Sequence, residues 1–127
     1  MTLRADIERL VSDLHAARVR GDLNAMCRLF DDYGAFRIAG SSEGKPIAIT
    51  AHGIREFRPW LAMMVKAFRV GDYELLSLVI EDERAAAHWR ARIHSKITGV
   101  SVVTELVDLV EVRADRIANY TEFFVPQ

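Results

Sequence analysis

The sequence predicts an α+β fold with its helices on one face of an antiparallel sheet. Two observations carry this expectation. In the first half, apolar residues recur at three- and four-residue spacing, the period of helices that bury one stripe. From Asp72 onward the period falls to two, as in strands with one buried face. Helices first and strands after, with no internal repeat and no linker, predict one domain over residues 1–127.

Each element follows in order. Residues 3–20 read as a helix whose stripe is Leu3, Ile7, Leu10, Val11, Leu14 and Ala17. Gly21 stops it and Asp22 caps a second helix, Leu23 to Phe30. Asp31-Asp32 signals a turn, and Tyr33 to Ala39 a short strand. Gly40 to Pro46, rich in Gly, Ser and Pro, reads as a loop. A helical stretch spans Ala51 to Phe68, with Pro59 predicting a kink or two shorter helices. Tyr73–Glu81, Ala85–His94, Val100–Val112 and Arg116–Val125 read as strands, joined by turns at Asp82-Glu83 and Arg113-Ala114-Asp115.

Composition narrows the function. Half the chain is hydrophobic and 28% is charged, which suits a globular domain with a core. Seventeen basic against eighteen acidic residues leave a net charge of −1, with no basic surplus to attract nucleic acid or anionic lipid. The longest apolar runs, such as Trp60 to Val65, are far shorter than the roughly twenty residues of a membrane helix. The N-terminus lacks an apolar signal core, so a cytoplasmic location is expected. Cys27, the one cysteine, has no disulfide partner within the chain and is read as a buried structural thiol. No metal is expected: His15 and His52 have no second ligand at helical spacing, and His88 and His94 lie six apart on a strand.

Three motifs, in order, carry a resemblance. Gly21-Asp22-Leu23-Asn24-Ala25 with Leu29-Phe30-Asp31-Asp32, then Gly53-Ile54-Arg55-Glu56-Phe57, then Val112 to Phe124 resemble the ketosteroid-isomerase-like, polyketide-cyclase-like (nuclear transport factor 2-like) superfamily. The resemblance implies a cone. A strongly curved, mostly antiparallel sheet wraps a long N-terminal helix, with two to three further helices and an apolar pocket. It also implies no cofactor and pairing through the sheet as a homodimer. Leu14 matches the isomerases' oxyanion-donating tyrosine and Ile38 their general base, so the resemblance argues against ketosteroid isomerisation by that route. A hydrocarbon at position 38 shuttles no proton. Asp108 matches the third catalytic group, a protonated acid.

The last hairpin supplies the candidate catalytic pair. With its turn near Ala114, Asp108 falls opposite Tyr120 or Glu122, and all three share one parity. The resemblance makes that face the concave one. Glu122 and Asp108 in an apolar hollow would have raised pKa values and could serve as base and acid. A shift of one residue would instead leave both on the solvent side. The row His88, Arg90, Arg92, His94 faces outward if alternation holds; a slipped register would bring Arg92 beside the acids. Leu14, Phe36, Ile38, Trp60, Met64, Trp89, Leu106, Tyr120 and Phe124 are the expected pocket lining or core.

The expected partner is therefore a small, mostly apolar molecule bearing a carbonyl, hydroxyl or epoxide, with no nucleic acid and no membrane. The rival expectation is a binding or interaction module that catalyses nothing, its convex face using Val107, Leu109 and the row from His88 to His94.

Overall fold

The computed structural model describes residues 4–42 and 44–126. Leu3 of the predicted first helix and Glu43 of the predicted loop lie outside the described residues. Three helices, α1 (Arg4–Arg20), α2 (Leu23–Arg28) and α3 (Ile54–Ala67), accompany six strands. These are β1 (Phe30–Ser42), β2 (Lys45–His52), β3 (Phe68–Glu81), β4 (Arg84–Ser95), β5 (Ser101–Arg113) and β6 (Arg116–Pro126). They form one sheet in the order β2-β1-β6-β5-β4-β3. Only the β1–β6 pair is parallel, and α1 packs across β3 and β4. The fold is the expected α+β cone.

The first half departs from expectation in four places, each with a local cause. Asp22 caps α2 by accepting from the Ala25 amide, but α2 stops at Arg28, so that Phe30 opens β1. Asp31-Asp32 is an irregularity inside β1: the register against β6 jumps between Phe30 and Ala35, and Asp31 Oδ1 accepts from the Tyr33 amide. The predicted loop is largely strand. Ser42 pairs with Lys45 around a tight turn with Gly44 at φ 75°, and β2 follows as an edge strand. An edge tolerates Pro46, which cannot donate to a ladder. Finally, α3 runs unbroken through Pro59. The proline leaves the Arg55 carbonyl without its helical donor, while Phe57, Leu61 and Met64 anchor the helix in the core on both sides.

Two apolar clusters fill the cone. The larger joins α1, α2 and α3 to the sheet through Leu14, Met26, Phe57, Phe30, Phe36 and Tyr120. The smaller holds Val70, Trp89, Ala91 and Leu106, and Phe124 packs against both.

Candidate active site

Strand register lays the inner face out in rows. Across β4, β5, β6 and β1, one row reads Ala85, Val110, Tyr120, Phe36. The next reads Ala87, Asp108, Glu122, Ile38, and the third Trp89, Leu106, Phe124, Gly40. Asp108 and Glu122 are thus direct cross-strand neighbours inside otherwise apolar rows. Both are buried, at 0% and 2% exposure.

Each carboxyl has one oxygen crowded with donors. Asp108 Oδ2 accepts from Trp89 Nε1 (3.1 Å) and lies 2.8 Å from His15 Nε2. Glu122 Oε2 accepts from the Tyr120 hydroxyl (2.7 Å) and from the Arg18 guanidinium. Asp108 Oδ1 is buried and receives no donor from the described residues. The two carboxyls face each other across the strand pair, and their like charge disfavours ionising both.

The electrostatics agree. Burial, with Asp108 adding like-charge repulsion against the pull of Arg18, pushes Glu122 up to about 7. Burial also raises Asp108, opposed by its interaction with Glu122, the charge on Arg18 and the Trp89 donor. The two carboxyls are coupled, and both hold their protons to higher pH than exposed acids do. Burial and the neighbouring Arg18 push His15 down to about 4, so its ring is neutral at pH 7. The network then assigns the tautomer: Nε2–H donates to Asp108, and Nδ1 accepts from the Tyr73 hydroxyl at 2.6 Å. Burial raises Tyr120 well above its ordinary value, so it remains a donor. Arg18 sits over the Trp89 ring at 5.1 Å, and its charge is held by Glu122 against the cost of burial.

This fold matches known proteins. The SnoaL-like domain profile aligns with residues 11–120. The chain belongs to the SnoaL-like domain family. A candidate isomerase from Bacillus subtilis superposes with a TM-score of 0.83 at 16% identity, over 98% of this chain and 90% of that one. A candidate polyketide cyclase from Xanthomonas campestris pv. campestris gives 0.73 at 21% identity, over 94% and 90%. A protein of ketosteroid isomerase-like fold from Catenulispora acidiphila, in complex with trimethylamine, gives 0.70 at 16% identity, over 89% and 82%. At these identities the likeness is one of fold. No curated protein matches the chain in sequence.

Against this SnoaL-like frame, Asp108, Glu122, Tyr120 and Trp89 come together as one cluster. Leu14, Phe36, Ile38 and Met64 are buried and pack with Tyr120, while Leu106 packs with Trp89. Trp60 is different: it is 38% exposed on α3. The alternation across β4 holds, so Arg90 and Arg92 point outward to Glu74 (2.6 Å) and Asp72 (3.3 Å). His88 likewise faces Glu105. The basic partner of the acids comes from α1 instead. His15, read from its spacing only as an unlikely metal ligand, and Arg18 extend the Val11–Leu14 stripe by helical steps. Two polar residues on an apolar face were the signal for them. Cys27 is buried and unpaired, beside Arg58. Among the described residues, no group of three or more His, Cys, Asp and Glu is arranged to hold a metal, and no helix is long and apolar enough to cross a membrane.

Two voids open outside the cone. One of about 410 Å3 opens on the outer sheet face between Val79, Ala86, Leu109 and Thr121. Another of about 290 Å3 lies between α1 and Asp115.

Proposed function

We propose that this protein is a small-molecule acid/base enzyme acting on a mostly apolar compound with a carbonyl, hydroxyl or epoxide group. The observation that carries this is the facing pair of buried carboxyls, Asp108 and Glu122. Glu122, held by Arg18 and Tyr120, serves as base when ionised and as acid when protonated; Asp108 holds or returns the proton. Proton transfer between two such groups and a bound substrate supports isomerase, cyclase, dehydratase or epoxide-hydrolase chemistry. Phe124, the least buried large side chain in the row beside Glu122, would have to turn aside for substrate to reach the acids. Glu122→Gln preserves shape and removes the titrating group. It should cut turnover on a responsive compound by about 10²- to 10⁴-fold and leave binding nearly unchanged. Full turnover in that variant would reject the reading.

A second reading concerns the outer face. Val107 and Phe123 are cross-strand neighbours there, and Leu109 and Val125 are 44% and 59% exposed beside them. This favours a homodimer joined sheet to sheet, whether or not the cone is catalytic. Leu109→Asp should yield a monomer by light scattering; an unchanged mass for a wild-type dimer would reject this interface.

A further inference from the structure

We infer that His15 and Tyr73 form a proton path joining solvent to the carboxyl pair, with Tyr73 at its outer end and Asp108 at its inner end. The inference rests on the acid–base reading of Asp108 and Glu122 and adds how that pair exchanges protons with the outside. Both acids are closed off from water, so a proton must travel through protein groups to reach them. His15 is buried at 3% exposure and bridges 2.6 Å to the Tyr73 hydroxyl and 2.8 Å to Asp108 Oδ2. Tyr73 is partly exposed.

The backbone is shaped to place Tyr73 there. Gly71 pairs with Arg92 and Glu74 with Arg90, so Asp72 and Tyr73 together oppose the single residue Ala91. In a regular strand Tyr73 would pair with Arg90 and face outward. The bulge, with Asp72 at φ 50° and its carboxylate on outward-facing Arg92, turns Tyr73 inward onto His15. Satisfying Asp108 needs only the Nε2–H of His15; a left-handed aspartate that aims a phenol at the far ring nitrogen goes beyond that need. The groups facing His15 are Arg18 on α1, Tyr73 on β3, Trp89 on β4, Asp108 on β5 and Glu122 on β6.

The step balances. The Tyr73 O–H proton passes to His15 Nδ1, the Nε2 proton passes to Asp108 Oδ2, and the Tyr73 oxygen takes a proton from solvent. One proton enters and one arrives on the carboxyl pair. His15 is left as the other tautomer, with Nδ1–H donating to Tyr73, and the reverse transfer restores it.

Two measurements on wild type and Tyr73→Phe test the path. NMR reads solvent exchange of the His15 Nε2–H proton. Stopped-flow infrared after a pH jump reads how fast the protonated-carboxyl stretch appears. Both rates should fall by about tenfold or more in Tyr73→Phe, with the equilibrium midpoint of the carboxyl titration little moved. Rates equal to wild type would overturn the path. Should Tyr73→Phe not fold, His15→Gln carries the infrared measurement with the same expectation and the same refuting result. A carboxyl titration at ordinary acid values would sink the acid–base reading alone, because slowed His15 exchange in Tyr73→Phe would still support the path.

Discussion

Substituting His15 and Glu122 one at a time should split the pH dependence of stability into two opposed halves. Glu122 has its pKa raised from 4.5 to about 7 on folding. The native state therefore binds more protons across that window, and stability falls as pH rises through it. His15 has its pKa lowered from 6.5 to about 4. The unfolded state binds more protons there, and stability rises with pH across that window. At about 1.4 kcal/mol per pH unit, each separation corresponds to about 3 kcal/mol. In wild type the two nearly cancel between pH 4.5 and 6.5. Urea unfolding at a series of pH values, extrapolated linearly, gives the stability difference of variant minus wild type. For His15→Gln this difference should fall by about 3 kcal/mol between pH 4 and 6.5. For Glu122→Gln it should rise by about 3 kcal/mol between pH 4.5 and 7. Asp108, raised with the same sign as Glu122, remains in all three proteins. Differences that are flat, or that share one sign, would refute the assignment of a neutral histidine beside a protonated pair.

Other substitutions probe single contacts. Arg18→Met strands the Glu122 charge and should cost about 3–5 kcal/mol above neutral pH, and distinctly less where the pair is protonated, as denaturant unfolding at both ends of the range would show. Gly40→Ala places a Cβ 2.6 Å from the Phe124 ring and 2.7 Å from its carbonyl oxygen, so it should destabilise by about 1–3 kcal/mol in the same assay. Asp115→Gly should stabilise by about 1 kcal/mol and raise the melting temperature, because Ala114 and Asp115 both turn the β5–β6 hairpin at positive φ, of 51° and 63°.

The second half of the fold was legible because alternation alone orders β4, β5 and β6. A hairpin turn near Ala114 then limited the partner of Asp108 to Tyr120 or Glu122. The bulge between Glu111 and Val112 selects Glu122 and keeps the acids on the inner face. What stayed hidden was non-local or irregular. His15 meets Asp108 across 93 residues, and Arg18 meets Glu122 across 104, so no spacing rule links them. Tyr73 has the wrong parity until a bulge reverses it. Strand β2 does alternate, with Ile47, Ile49 and Ala51 the more buried positions, but Gly44 and Pro46 gave its start the composition of a loop.

The cluster around Glu122 is closely balanced in charge: one guanidinium stands among two carboxyls whose ionisation burial opposes, beside an uncharged imidazole. An anionic guest would find the sole cation already engaged, and a cationic guest would have to compete with it. Moving an unpaired ion into such surroundings is costly. On the proposed reading, such an interior would favour uncharged guests, a filter set by the balance of the host's own ions and independent of the guest's size.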